Sequence, residues 1–595
     1  MKKTSRFPWR ALALLLALLC VLSSFVSCAD EPEGGTPPAD VPPSPPAPAI
    51  IAKDGMSDYV IVYGSTDAGG RNVASELQQD LLILTGAELP IIDDRTAPTE
   101  GTPEILVGKT NRGTDYSLQR ALRVSEWIVA REKENIYLLG DGEALLKRAC
   151  DHFTTAVLDA EFQVVEHGEI HRVSGRYNAD AVTLNGLPVT DYTFLYEERG
   201  AADWKEILDW ADERLSAVSG YMLTIAAYEE SAAVNGAAVI LRSDAKLGEA
   251  NYDIKTEGQT VTVTAGSKAT ALALFARLIE EMLPNNAKGT VAMTVSTVSG
   301  NVGDNAMVSL SEGADLRVMT YNVLGNVEKA TDYISATVGA YLPDFLCTQE
   351  YYGAADSAVT TYLAEAGYGK IGGKFTCASP TAVEKEDEQY TKVGKYCNTP
   401  IFYRTDRWEV VESEAYLFYW QSRWPYTDTK SMAYGVFRSK DDGRLVMVVG
   451  THYALMGSGY QEYVDKGYTD AVEGANWRYE NSLEILKAVD AVRQKYPGIL
   501  TIVGGDLNAN VGEKAIRTLE DHAILSNAFE MAPSENRTAG GTFHSTHGKA
   551  PSGKAIDHIF VSEDVADVVL HRILKEQYVL EGSDHCPVIA DISLK

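Results

Sequence analysis

Leu500-Thr501-Ile502-Val503-Gly504-Gly505-Asp506-Leu507-Asn508 is a run of apolar and small residues that stops at Asp-x-Asn. Its length and composition predict a buried strand, whose end places a carboxylate and an amide at the open edge of a sheet. Other segments on both sides share this design. Leu316-Arg317-Val318-Met319-Thr320-Tyr321-Asn322 ends in an amide, Pro343-Asp344-Phe345-Leu346-Cys347-Thr348-Gln349-Glu350 in a carboxylate, and the strand from Leu445 to Thr451-His452 in an imidazole. Further on, Ala555-Ile556-Asp557-His558-Ile559-Phe560-Val561 places Asp557 entering a strand, and Gly582-Ser583-Asp584-His585-Cys586-Pro587-Val588 sets Asp-His just before another. Each alone is a weak signal, since strands often finish on polar residues. Together they point to one shared rim.

In chain order the motifs are Met-x-x-Asn, Gln-Glu, Thr-His, Gly-Asp-x-Asn, Ile-Asp-x-Ile and Ser-Asp-His-x-Pro, and residues 316–595 thereby resemble the endonuclease/exonuclease/phosphatase family. The resemblance implies a DNase I-like, four-layer α/β sandwich of two mostly antiparallel sheets flanked by helices, with the site at one rim. It also implies metal-dependent hydrolysis of phosphate esters.

The residue types suit that chemistry. A phosphodiester is a poor electrophile, so its hydrolysis needs a cation on the phosphate oxygens, a group to prepare water, and donors for the charge of the transition state. Glu350 offers a hard oxygen ligand for Mg²⁺ or Mn²⁺, with Asn322 assisting the metal or the phosphate. Asp584 serves a second metal or braces its turn. Asp557 orients His585, Asp506 orients or deprotonates water, Asn508 donates to a phosphoryl oxygen, and His452 stabilises charge or protonates the leaving oxygen. The base is left open between Asp506 and His585. His544 is read as either a rim residue or a structural one, and His558 as structural. Tyr453 after Thr-His, and Lys430 near where relatives often carry Arg, depart from the family pattern. The aromatics Tyr416, Phe418, Tyr419, Trp420, Trp424 and Tyr426 either stack on a substrate or fill the core between the sheets.

At 595 residues, 45% of them hydrophobic, the chain can bury several cores. The formal charge of −30 disfavours broad attachment to nucleic acid, which needs clustered Lys and Arg. The deficit reaches into the domain with the motifs, where Asp315 to Lys595 carries 27 Lys and Arg against 39 Asp and Glu. No P-loop or Gly-x-Gly-x-x-Gly follows a strand, and no Cys or His spacing suggests zinc.

Lys2, Lys3, Arg6 and Arg10 precede an apolar run from Ala11 to Leu22, and Phe25-Val26-Ser27-Cys28 resembles a lipobox with Phe in place of Leu. Residues 1–28 therefore read as a lipoprotein signal peptide, with Cys28 the acylated residue. Residues 29–50 are a Pro-rich linker that cannot pack a core. Cys377 and Cys397 either pair as a disulfide or remain thiols.

Between linker and motifs, the strand Tyr59-Val60-Ile61-Val62-Tyr63, the helix Asn72 to Leu84 and the strand Glu104 to Val107 are matched by Tyr192 to Tyr196, Trp204 to Val218 and Ala238 to Leu241. Each copy closes on a strand, a Gly and a helix, Glu143 to Val157 in one and Ala269 to Leu283 in the other. The reading is a tandem duplication with a period of about 130 residues, giving α/β repeats at 51–175 and 176–300 and the catalytic domain at 314–595. The copies are similar to the noncatalytic α/β domain of some glycoside hydrolases. That leaves them as carriers of a cell-surface glycan site or as a scaffold packed on the last domain.

The expected protein is a lipid-anchored, extracellular or cell-surface Mg²⁺-dependent hydrolase of phosphodiesters or phosphomonoesters. The alternatives are an extracellular nuclease, and a glycan-binding surface protein whose last domain is inactive.

Overall fold

The computed structural model describes residues 47–67, 69–112, 117–120, 122–159, 164–165, 171–173, 177–198, 201–229, 234, 236–377, 396–418, 430–454 and 474–595. Cys28, residues 29–46 of the Pro-rich linker and Tyr419 to Tyr426 lie outside them; the end of the expected linker, Ala49–Ile50, instead forms a short strand paired with Val164–Val165, with Ala49 buried in the core. Among the described residues no helix is long and apolar enough to cross a membrane.

Strand alternation builds the C-terminal domain. Val446, Val448 and Ile502 point into the space between two sheets, while their neighbours Met447, Val449 and Val503 point out against helices. Burial on both faces makes these segments continuously apolar. One sheet runs Tyr368–Ile371, Ile401–Arg404, Phe345–Gln349, Leu316–Asn322, Val588–Leu594, Ala566–Ile573 in space. The other runs Trp408–Leu417, Ser431–Ser439, Leu445–His452, Leu500–Asp506, Asp557–Ser562, Leu525–Asn527. Each has one parallel pair at its centre, Leu316–Asn322 beside Phe345–Gln349 and Leu445–His452 beside Leu500–Asp506, and its remaining pairs are antiparallel. Thr331–Tyr341 covers the outer face of the first sheet, and Gly474–Lys495 with Lys514–Glu520 that of the second. The architecture is the four-layer α/β sandwich expected.

Gly504 and Gly505 have separate tasks in this packing. A Cβ on Gly504 would meet Cys347 Sγ of the facing sheet at 3.3 Å, and one on Gly505 would come within 2.2 Å of the Thr451 carbonyl oxygen in the adjacent strand. The first glycine lets the sheets approach, and the second lets the two parallel strands do so.

The preceding chain forms two further six-stranded sheets. The first has the order Ile91–Asp93, Val60–Tyr63, Glu104–Val107, Asn135–Gly140, Trp127–Glu132, His171–Val173. The second has Thr224–Tyr228, Tyr192–Glu197, Ala237–Ser243, Thr260–Ala265, Asn251–Glu257, Val298–Asn301. Numbered within each sheet by chain order, the strands run 2-1-3-5-4-6 in both, all parallel except the fifth in space, which is antiparallel to both its neighbours. In both, the helix after the fifth strand in chain order finishes in a wider π turn, Phe153–Val157 and Leu278–Met282, where the sequence suggests uninterrupted α-helix.

Helix Lys268–Arg277 of the second sheet's unit lies against Thr331–Tyr341 of the C-terminal domain, sharing an apolar cluster that includes Ala269, Leu272, Phe275, Ile334, Val338 and Tyr578. Polar contacts surround it. Lys268 Nζ lies 2.9 Å from Glu206 and 3.1 Å from the Tyr333 hydroxyl, and Arg572 forks onto both oxygens of Glu280 at 2.8 Å each. Residues 301–313, between the expected second repeat and the catalytic domain, are packed rather than loose: Val302, Met307 and Val308 are buried in the same cluster.

Two open readings close here. Cys377 and Cys397 are free thiols, Cys377 Sγ donating to Glu414 and Cys397 Sγ lying against Thr399 and Ser431. Tyr416 and Phe418 are buried, but between the second sheet and its helices rather than between the sheets.

Candidate active site

Strand direction brings the polar ends together. Asp506 closes its strand, Asp557 opens the antiparallel neighbour directly opposite, and His452 is paired with Asp506 across the parallel pair. On the facing sheet, Asn322 and Gln349 end a parallel pair, and the turn Ser583-Asp584-His585 leads into the strand antiparallel to Leu316–Asn322. Asn322 Nδ2 spans the two sheets, donating to Asp506 Oδ2 at 3.1 Å and to Glu350 Oε1 at 3.2 Å. Ser583 Oγ donates to the Asn322 carbonyl at 2.6 Å and locks the turn to the same strand.

His585 Nδ1 lies 2.9 Å from Asp557 Oδ2, and its Nε2 lies 3.8 Å from Asp506 Oδ2. Burial works against a charged imidazole, but Asp557 and Asp506 outweigh it and push the His585 pKa up to about 10. Burial likewise disfavours the Asp506 carboxylate, yet His585, with His452 and Lys430, holds that group well below the usual range. The pair is an imidazolium beside an ionised carboxylate.

The site is layered by exposure. Asp506, Asp557, His452 and His585 are buried, whereas Glu350, Asn508 and Asp584 are partly exposed above them. Glu350 and Asn508 adopt left-handed backbone, φ +52° and +46°, as does Leu324 at +43°. Such strain at three points around one rim is held by the surrounding packing and turns the strand ends toward the site. Asn508 N donates to Asp506 Oδ1 at 2.9 Å, and one Asn508 side-chain N–H donates to the Tyr453 carbonyl at 3.1 Å. Asp584 Oδ1 accepts from Ser583 Oγ at 3.4 Å. His452 Nε2 lies 2.7 Å from Lys430 Nζ and 3.3 Å from Asp506 Oδ2.

All the residues expected at the site thus stand at one rim. His544 bonds its own turn, with Nδ1 2.7 Å from the Thr546 carbonyl, while His558 Nε2 lies 2.9 Å from the Ala509 carbonyl, a structural contact. Three supporting residues escape the sequence reading. Thr542 Oγ1 accepts from the backbone N–H groups of Ile556 and Asp557, the Tyr352 hydroxyl donates to Glu350, and the exposed Phe543 ring stands 5.0 Å from His585. The run Gly-Thr-Phe-His around His544 is the one signal that flanks two of them.

The donor set fits a hard divalent cation. Glu350 and Asp506 turn carboxylate oxygens to the same amide, so a partly exposed and a buried oxygen donor converge on Asn322. Asp506, Asp557 and His585 also bring ligand atoms within 4.8 Å of one another, but the His585 to Asp557 hydrogen bond uses one atom of each.

Two facing mixed sheets, with an Asp–His pair and a carboxylate–amide cluster at their common rim, make a DNase I-like sandwich. Residues 319–585 match the model of the Endonuclease/Exonuclease/phosphatase family. Similar solved structures include a mannosyl-6-phosphatase of Bacteroides thetaiotaomicron, with 20% identity, a TM-score of 0.36, and coverage of 47% of this chain and 99% of that one. An endonuclease/exonuclease/phosphatase from Bacteroides vulgatus gives 20%, 0.37, 47% and 99% for the same quantities. The human Nocturnin catalytic domain gives 19%, 0.35, 48% and 96%. No curated protein sequence matches the chain.

Proposed function

We propose that the chain is a Mg²⁺- or Mn²⁺-dependent hydrolase of phosphodiesters or phosphomonoesters, tethered outside the cell through Cys28. The convergence of Asn322, Glu350 and Asp506 beside the Asp557–His585 pair carries this reading.

Glu350, with Asn322 beside it, would hold the cation, and Asp584 stands near enough to His585 to influence its charge. When bound, the cation supplies Lewis-acid polarisation of a phosphoryl oxygen. Asp506, kept ionised, orients the attacking water and takes its proton as the O–P bond forms. His585, held charged by Asp557, donates to the phosphate or to the departing oxygen. Asn508 has a second side-chain N–H for a phosphoryl oxygen once its first is spent on Tyr453. The electrostatics thus favour Asp506 over His585 as the group that prepares water.

The acidic balance supports a small or lipid-linked ester over long DNA. Hydrolysis of bis-p-nitrophenyl phosphate, a sphingomyelin dispersion and DNA by the full chain, with Mg²⁺ or EDTA, tests the reading. Metal-dependent turnover is expected, strongest on a non-nucleic-acid substrate. Equal background with and without metal on all three would point to the surface-binding alternative, and a preference for DNA to the nuclease.

A further inference from the structure

Among the described residues ten large apolar side chains stand exposed, and four of them, Ile50, Met56, Leu82 and Ile83, come from one end of the first α/β unit. Lys53 and Met56 exchange backbone hydrogen bonds of 2.8 and 2.9 Å, closing a turn over Asp54 and Gly55. A Cβ on Gly55 would lie 3.6 Å from the Gly86 carbonyl oxygen, so this turn rests against the residue that caps helix Gly70–Thr85. Met56 is thereby brought to the last helical turn, where Leu82 and Ile83 are 42% and 81% exposed. Ile50 faces outward between buried Ala49 and Ile51, and Ser57 Oγ donates to the Ile51 carbonyl, which ties that strand to the same turn.

The second unit supplies a comparison within the same chain. Gly86 N donates to the Leu82 carbonyl at 2.9 Å, and Gly220 N, after helix Ala201–Ser219, to the Ser216 carbonyl at 2.8 Å, both glycines having φ +75°. Ser216 and Ala217 therefore stand where the first helix has Leu82 and Ile83, and the apolar face belongs to the first unit alone, the one that follows Cys28. Its area, on the order of a few hundred Å², is large enough to mark a contact surface but falls short of the ~800 Å² per partner of a stable protein interface. A lipid surface requires less, because a tethered chain is held at high local concentration. Residues 29–46 separate Cys28 from Ala47, and fully extended they span at most ~70 Å. The exposed charges beside the patch, Lys53, Asp54, Asp58 and Glu88, set one cation against three anions, which disfavours acidic headgroups and leaves neutral ones.

We propose that Ile50, Met56, Leu82 and Ile83 form a membrane-contacting face, through which the first α/β unit seats on an electrically neutral lipid surface. The inference rests on the Cys28 anchor of the proposed function: the anchor brings the unit to the bilayer, and the four side chains lay this end of it onto the interface. Because no headgroup charge is paired, salt does not loosen the contact.

The test uses the whole chain with residues 1–28 replaced by a hexahistidine tag, held on phosphatidylcholine vesicles by a nickel-chelating lipid, so that tethering does not depend on acylation. Ile83→Cys, Met56→Cys and Ala217→Cys, each in a Cys377→Ser background, carry an NBD label, the remaining cysteines being buried. On vesicles the labels at 83 and 56 should shift to the blue and be quenched by a lipid-borne quencher, at low and high salt alike, while the label at 217 keeps its emission in water. Without the nickel-chelating lipid, flotation of the unlabelled chain with the vesicles should fall about tenfold or more in the Met56→Glu, Ile83→Glu double variant. Equal emission at 83 and 217 on vesicles overturns the assignment. So does a blue shift at 83 already present without vesicles: growth with protein concentration would mean a second copy on the face, and independence of concentration would mean cover by residues 29–46. The mass of the chain expressed with its own residues 1–28 shows separately whether Cys28 is acylated. An unmodified Cys28 sinks the anchor reading, while the tethered vesicles still decide the face.

Discussion

At the scale of single residues, the Asp557–His585 pair dominates. His585→Ala should lower kcat by about 10²- to 10⁴-fold with the protein still folded, measured as metal-dependent ester hydrolysis alongside circular dichroism. The pair also gives stability a pH dependence. The folded His585 value, about 10, lies above the 6.5 of a free imidazole, so the charged pair adds its stability fully below pH 6.5. That contribution drains away as pH rises through 10. Urea unfolding in EDTA at pH 6, 8 and 10 should show a loss of stability on the alkaline side that Asp557→Asn largely removes; parallel profiles for the two proteins would contradict the paired geometry. The residues of this pair are legible in the sequence because Ile-Asp and Asp-His stand at strand starts. The direction of their charge is not, since it depends on Asp506 arriving from another strand at 3.8 Å.

At the scale of the strand, the glycines before Asp506 fix how closely the neighbours approach. Gly505→Ala should destabilise the domain by about 1–3 kcal/mol, because its methyl meets a backbone carbonyl that cannot rotate away. Gly504→Ala, which meets the Cys347 thiol, should cost less. Thermal unfolding of both variants checks the order, and an equal or reversed cost would mean that the strands adjust. Sequence periodicity finds these strands well, since burial on both faces leaves an apolar run, but it does not distinguish the two glycines. It also reads Glu143 to Val157 as continuous α-helix, because apolar spacing alone does not register the wider closing turn at Phe153–Val157.

At the scale of the whole molecule, the C-terminal domain shares a core with the unit before it. Residues 314–595 alone would expose the face of Ile334, Val338, Tyr341 and Tyr578 that Ala269, Leu272 and Phe275 cover. This fragment should melt lower and associate more than residues 176–595, as calorimetry and light scattering would show. Equal melting temperatures would mean that the docking is incidental. Arg572→Ala, which removes the fork onto Glu280 and the contact to Glu576, should lower the melting temperature of the longer fragment by several degrees, because it leaves two largely buried carboxylates facing each other without their cation.

The sequence by itself determined the motif residues and the strands that carry them, because each is written in local periodicity or in residue types at strand ends, and the sandwich followed from the family those motifs resemble. Tertiary structure alone decided what those residues do to one another. Asn322 bridges carboxylates from two sheets, Lys430 reaches His452 across a ladder, and the segment after Gly300 packs into a shared core. Each of these contacts joins positions far apart in the chain, and no local pattern records a distance that only folding sets.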